Sequence, residues 1–137
     1  MMTINIEYCW PIDFPEDVPC KDKVVPAQGV VYRLVRTIPP KEIDFQRHRD
    51  EKPNYPYTRE QIPLSYGVSF WSKLDKIKRV KVNYPCPEQY DTWKVATGNL
   101  TPDLGVVPEE LSINGHITLW VQDGAEPHNY IKNGVTL

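Results

Sequence analysis

The sequence lacks the short motifs that most directly indicate a nucleotide, metal or lipid site. Its glycines are isolated from one another, so it contains neither a P-loop nor a GxGxxG pattern. It has no HxxxH, HExxH or CxxC pair, and we therefore expect no metal site. No window approaches ~18 consecutive apolar residues. The net charge of −2 removes the usual electrostatic attraction to polyanions, so we expect neither a nucleic acid nor a membrane as partner.

Targeting signals and a disulfide framework are also missing. The amino terminus has no basic segment followed by a continuous apolar run, which predicts a soluble, cytoplasmic protein. The cysteines Cys9, Cys20 and Cys86 form an odd set and are most simply reduced thiols, although spacing alone permits a Cys9–Cys20 bridge. With 137 residues, the chain is expected to form a single domain over 1–137.

Proline is abundant, with 14 in the chain, about twice its usual share of ~5%. We expect residues 1–28 to form a proline-rich extended arm that wraps the domain. The prolines and tyrosines of residues 51–65 leave little room for regular structure, and we interpret this long connection as a lid or rim.

Four runs have the composition and turn boundaries of β-strands. These runs lie near 29–36, 66–71, 93–99 and 115–121. Short helices are expected at Lys41–Asp50, on the surface, and at Lys73–Arg79, with Ser72 as the N-cap. The fold class is therefore predicted as α+β, one compact domain with an antiparallel or mixed sheet and two or three short helices.

The predicted core follows from the alternation of apolar residues along these strands and from the apolar stripe of the second helix. It consists of Val31, Leu34, Val35, Val68, Phe70, Leu74, Ile77, Val95, Ile117, Leu119 and Trp120. Gly98, inside the third predicted strand, suggests that a neighbouring backbone approaches closely there.

Polar residues interrupt three of the apolar strands. Arg33 lies between Val31 and Val35, Ser69 precedes Phe70, and His116 opens the last strand. Each needs a partner if it is buried. Arg33 either pairs with a carboxylate inside the core or joins Ser69 and His116 in one cleft. The lone His116 either bonds a neighbouring carbonyl or belongs to such a cleft.

The order of these strands, VYRLVR, then GVSFW leading into a helix, then GHITLW, resembles small ADP-ribosyltransferase-like domains, including compact bacterial toxins. The resemblance implies that the chain binds NAD. It implies that Arg33 holds a phosphate or ribose of NAD and that Ser69 or Tyr66 lines the nicotinamide pocket. Trp71 would add aromatic surface to that pocket.

The late strand of such a domain provides a catalytic glutamate or a substitute, and the resemblance places His116 at that position. This strand has no glutamate. The nearest acids, Glu109 and Glu110, lie in the preceding loop, so catalysis would require Glu110 to reach into the site. The functional expectation is an ADP-ribosyltransferase-like toxin or effector.

A protein-interaction module, such as an antitoxin, immunity protein or accessory subunit, is the alternative. Tyrosines in proline-bounded loops, as in Asn54–Tyr57, form the amphipathic aromatic surfaces that interfaces favour. An enzyme should gather Arg33, Ser69 and His116 around one pocket. A binding module should bury them separately and expose an aromatic patch.

Overall fold

The computed structural model describes residues 7–83, 92–110 and 112–136, within which seven strands form one antiparallel sheet. The strands are β1 (Val24–Pro26), β2 (Gly29–Val35), β3 (Val68–Trp71), β4 (Lys94–Leu100), β5 (Gly105–Pro108), β6 (His116–Val121) and β7 (Asn133–Val135). Their order in the sheet is β1-β5-β6-β3-β2-β4-β7. The α-helices are α1 (His48–Glu51), α2 (Gln61–Ser65) and α3 (Leu74–Asn83).

The middle of the sheet consists of β6, β3, β2 and β4, the four strands that the sequence predicts. β2 pairs with β4 along its whole length, and β3 pairs in the same way with the first part of β6. In the described part of the chain, β2 and β3 share one paired position, Tyr32 opposite Trp71. The predicted α+β class is therefore confirmed, and the sheet is antiparallel throughout.

Apolar side chains pack on both faces of the sheet. On one face, Val31, Phe70 and Leu119 are fully buried in the main cluster. On the other face, α3 packs against β2 and β3, and Ile77 belongs to the cluster that contains Leu34 and Val95. Of the predicted core residues, Leu74 and Ile117 are only partly buried, and the others are buried.

The short strands β1, β5 and β7 were not predicted, because none is long enough to show an alternating pattern. β7 pairs with β4 at one edge of the sheet. The predicted close approach at Gly98 is confirmed, since a Cβ there would lie 2.1 Å from the Tyr130 carbonyl oxygen and 2.9 Å from Ile131 Cα. Gly98 therefore permits the chain before β7 to cross β4.

The helix predicted over Lys41–Asp50 is wrong, because the segment divides into a 3₁₀ turn at Glu42–Phe45 and the single turn α1. The Asp44 carboxylate accepts hydrogen bonds from the backbone N–H groups of Lys41 and Arg36, each at 3.0 Å. These local bonds compete with a continuous helix. They also direct Phe45 into the main cluster.

Two smaller expectations also need correction. The hydroxyl of Ser72 donates to the Gly115 carbonyl at 3.1 Å, and α3 begins only at Leu74, so Ser72 is not its N-cap. Residues 51–65, predicted to lack regular structure, contain α2. Helix α2 is short because Pro63 lies inside it and Gly67 follows it closely.

The amino-terminal arm contacts the domain through aromatic side chains. Trp10 stacks between Tyr8 and Phe14, and Phe14 meets the edge of Tyr66 at 5.4 Å between ring centroids. Val18 belongs to the buried cluster around Trp120. The arm therefore covers one end of the sheet, near α2.

We predict that Leu119→Ala lowers the free energy of unfolding by about 2–5 kcal/mol, because Leu119 is fully buried in the main cluster and truncation leaves a cavity. Urea unfolding measures the loss. The matched control is Val30→Ala on β2, where the side chain is 51% exposed and the change should stay within about 0.5 kcal/mol. A loss below about 1 kcal/mol for Leu119→Ala would contradict this assignment of strand faces.

Candidate functional site

A cleft lies on the face of the sheet that carries Ser69 and His116. It consists of two adjoining cavities of about 230 Å³ and 270 Å³. His48, Lys52, Ser69 and His116 line both cavities and so connect them. Together the two volumes fall in the range of small-molecule sites.

The floor of the cleft follows from the alternation of side chains on β3 and β6. Val68 and Phe70 point into the main cluster, so Ser69 and Trp71 point to the opposite face. Trp71 is opposite His116 in the strand register, and their ring centroids are 5.1 Å apart in an edge-to-face arrangement. This contact fixes the His116 ring against the floor.

The roof comes from α1 and the tyrosine-rich segment that follows it. The Tyr57 hydroxyl oxygen lies 2.6 Å from Nδ1 of His48, and the same hydroxyl donates to the Lys52 carbonyl at 3.3 Å. The rings of Tyr55 and Tyr57 are 4.9 Å apart, and His48 meets the Tyr55 ring edge-on. The tyrosines thus hold the His48 imidazole over the floor.

Arg33 joins the floor to the roof through its guanidinium group. Nε donates to the Asp44 carbonyl at 2.6 Å, and Nη1 donates to the Ser69 carbonyl at 2.6 Å. Nη2 donates to Oε1 of Glu51 at 2.7 Å and forms an ion pair with it. The Arg33 side chain is only 12% exposed, whereas that of Glu51 is 35% exposed, so the two bonds to carbonyl groups are better shielded from water than the ion pair.

Arg33 therefore satisfies both interpretations of the sequence, because it pairs with a carboxylate and also lines the cleft. Its guanidinium carbon lies 5.7 Å from the Phe45 ring and 5.8 Å from the Phe70 ring, within the range of cation–π contact. With its nitrogens bound to protein acceptors, Arg33 also orients Glu51. Direct contact of Arg33 with a phosphate of NAD stays a prediction.

Burial disfavours the charged form of both histidines of the cleft. Burial lowers the pKa of His116 below its ordinary value of 6.5, and the charge of His48 lowers it further. Burial also lowers the pKa of His48. The nearby cations Lys52 and Arg33 lower this pKa further, and the Glu51 carboxylate raises it by a smaller amount than burial lowers it. A neutral imidazole in this position is able to accept a proton.

The structure brings together four of the site residues predicted from the sequence. Arg33, Ser69, Trp71 and His116 line the first cavity. Tyr66 does not line it, because Tyr66 packs against the amino-terminal arm and under the guanidinium of Arg49, 3.8 Å from its ring centroid.

Glu110, the predicted acid, does not line the cleft either. It is exposed and borders a separate cavity of about 460 Å³, which shares His116 with the cleft. The carboxylate that does line the cleft is Glu51, from α1. The expectation that Glu110 reaches into the same cavity as Arg33 and Ser69 is therefore not met, since β6 turns this loop to another side.

Sequence reasoning missed the site residues on the roof. His48 was assigned to a surface helix and Glu51 to the connection that follows it, and Tyr55 and Tyr57 were assigned to an interaction surface. The only sequence signal for them was the length of the segment 51–65, which predicted a lid or rim.

Other chemistries find little support. Among the described residues, no group of three or more His, Cys, Asp or Glu side chains is placed to hold a metal ion. Cys9 and Cys20 are exposed and not bridged, whereas Cys86 lies outside the described residues. Within the described ranges, no helix has the length and apolar character needed to cross a bilayer.

Comparison with known proteins identifies no relative of this chain. No protein-family model, curated protein or solved structure matches the chain. The function is therefore inferred from the residues of the cleft, together with the resemblance of three strands to ADP-ribosyltransferase-like domains.

We predict that the free energy of unfolding falls as the pH drops below about 6.5. In that range the cleft histidines bind protons more readily in the unfolded chain than in the folded protein. The stabilisation is fully present above pH 6.5 and is lost as the pH approaches the lowered pKa values. His116→Asn should reduce this pH dependence in urea unfolding. His128→Asn, outside the cleft, is the matched control and should preserve it. The prediction would be contradicted if the free energy of unfolding changed with pH by the same amount in His116→Asn and in the wild-type protein.

Proposed function

We propose that this chain binds NAD in the cleft and transfers its ADP-ribosyl group to an acceptor. The observation that carries the proposal is that Arg33, Ser69 and His116 line one cavity. They come from β2, β3 and β6, which are far apart in the sequence and adjacent in the sheet. This is the juxtaposition that the resemblance to ADP-ribosyltransferase-like domains implies.

The composition of the cleft suits a dinucleotide with an aromatic base. Trp71, Tyr55 and Tyr57 supply aromatic surface, and Lys52 brings a positive charge to both cavities. Ser69 adds a hydroxyl-bearing side chain to the lining of both cavities. The rest of the lining is largely polar or charged, and such groups fix the orientation of a bound ligand.

When bound, NAD would supply the ADP-ribosyl group. In the transfer, the bond between ribose C1′ and the nicotinamide nitrogen would break, and its electron pair would leave with nicotinamide. The acceptor atom would then bond to C1′. Glu51, oriented by Arg33, is placed to stabilise the positive charge that develops on the ribose. The neutral His116 is placed to take the proton that the acceptor loses. In this proposal Glu51 has the role that the sequence assigned to Glu110.

We predict that Glu51→Gln slows the release of nicotinamide from NAD by about a hundredfold or more, because it removes the negative charge of the cleft while keeping the side-chain shape. Glu110→Gln makes the same chemical change outside the cleft and should leave the rate unchanged. The released nicotinamide is measured by chromatography. A loss with Glu110→Gln and none with Glu51→Gln would return the catalytic role to Glu110.

Calorimetric titration of the wild-type protein with millimolar NAD tests binding directly. We predict that Arg33→Ala abolishes the binding heat, because the variant has neither the positive charge nor the group that positions Glu51. Ser69→Ala should weaken binding by about 0.5–1.5 kcal/mol, the contribution of a neutral hydrogen bond. If Arg33→Ala does not fold, Ser69→Ala still tests the site. A folded wild-type protein that gives no heat would exclude NAD.

Transfer of ADP-ribose to a cell component would make the protein a toxin or effector. Inhibition of bacterial growth on expression, relieved by Glu51→Gln, is the expected result.

A protein-interaction module is the second candidate function. Tyr55, Ile62 and Leu64 are 45%, 44% and 43% exposed, and they lie on the roof segment and α2 beside the cleft. Exposed apolar side chains of this kind favour contact with a protein partner. A wild-type protein that binds no NAD would favour this function.

A further inference from the structure

The solvent side of α3 and the residue before it are strongly basic. Between positions 73 and 81 the chain has Lys73, Lys76, Lys78, Arg79 and Lys81, with Asp75 as the one acid. Lys73, Lys78 and Arg79 are exposed. Among the described residues, these three cations take part in none of the ion pairs. Their charge is therefore available to an anionic partner.

The chain's net charge of −2 conceals a separation of charge between the two faces of the sheet. A groove of about 520 Å³ opens beside the face that carries Val68 and Val121. Its acidic lining residues are Asp13, Glu42, Asp50, Asp123 and Glu126. Arg47 also lines the groove and pairs with Asp13 and Asp50, so the groove keeps an excess of negative charge from the other three acids. Helix α3 packs on the other face, so an anion is repelled from one side of the molecule and attracted to the other.

Helix α3 also forms a wall of the cleft. Ile77 and Val80 line the first cavity together with Trp71 and Trp93. The guanidinium carbon of Arg36 lies 4.6 Å from the Trp93 ring centroid, which adds a further cation beside this aromatic surface. The helix that carries the exposed cations therefore also borders the cleft through its apolar side.

This arrangement favours a single-stranded nucleic acid over an anionic membrane. A helix that lies on a membrane inserts its apolar side, but Leu74, Ile77 and Val80 of α3 already pack against the sheet. Proteins that bind single strands combine a line of cations with aromatic side chains on which bases stack. The exposed cations of α3 and the two tryptophans of the cleft provide this combination.

We propose that the acceptor of the ADP-ribosyl group is a single-stranded nucleic acid, with its phosphates along Lys73, Lys78 and Arg79 and a base in the cleft beside Trp71. The transfer step rests on the proposed function, whereas the binding does not. In the transfer, a nitrogen of the base bonds to ribose C1′, nicotinamide leaves with the electron pair of the broken bond, and the proton of that nitrogen goes to His116.

The test measures binding of a fluorescein-labelled single-stranded DNA of about 16 nucleotides to the full chain without NAD, by fluorescence anisotropy at several salt concentrations. We expect Lys78→Gln with Arg79→Gln to weaken binding about tenfold or more at ~50 mM salt. The slope of log affinity against log salt should become shallower by about 0.7 for each phosphate that the variant no longer neutralises. Both side chains are exposed, and glutamine preserves helix propensity.

The matched control is Lys21→Gln with Lys23→Gln, which removes the same charge from exposed positions beside β1, at the far edge of the sheet. This control should bind like wild type. Equal weakening by both double variants, absence of DNA binding, or binding to vesicles of anionic lipid in place of DNA would overturn the inference.

Titration of the Lys78→Gln, Arg79→Gln variant with NAD separates the two proposals, because this variant should bind NAD as the wild-type protein does. DNA binding without any NAD heat would reject the transfer and retain the nucleic-acid surface.

Discussion

The contacts of the Arg33 guanidinium connect the fold to the cleft. In the described residues β2 and β3 share one paired position, and beyond it Arg33 donates to the Ser69 carbonyl in place of a backbone N–H. Its other nitrogens hold the Asp44 carbonyl and the Glu51 carboxylate. A planar group with several donors in fixed directions can bridge three segments in this way, which a lysine cannot. This one side chain therefore contributes both to the separation of two central strands and to the position of α1.

Helix α3 links the two proposals because its two sides have different roles. Its apolar side closes the second core cluster and lines the cleft, while its polar side carries exposed cations. Under the two proposals, a substrate held by the cations would be brought to the cleft histidines and to Glu51. Since the acidic groove lies at the other face, the charge distribution orients an approaching polyanion before it makes contact.

Much of the sheet and part of the cleft follow from local sequence. The alternating pattern of the four middle strands predicts which side chains face the core. Polar residues inside these strands, namely Arg33, Ser69 and His116, can also be recognised from the sequence. His48 and Glu51 could not be recognised as site residues, because α1 is a single turn without periodicity. Its place is set by long-range contacts, such as the hydrogen bond from the His48 N–H to a carbonyl on the approach to β3 at 3.1 Å. The short strands were missed for a related reason, since pairing with distant segments defines them.

The close passage of the chain over Gly98 affects how the protein completes its folding during synthesis. Ile131 is fully buried in the main cluster, and β7 pairs with β4 immediately afterwards. The cluster that β2, β3 and β6 build therefore stays open on the ribosome until residue 131 has emerged. Until then the sheet lacks its last edge, and a chaperone has access to the apolar face that Ile131 covers.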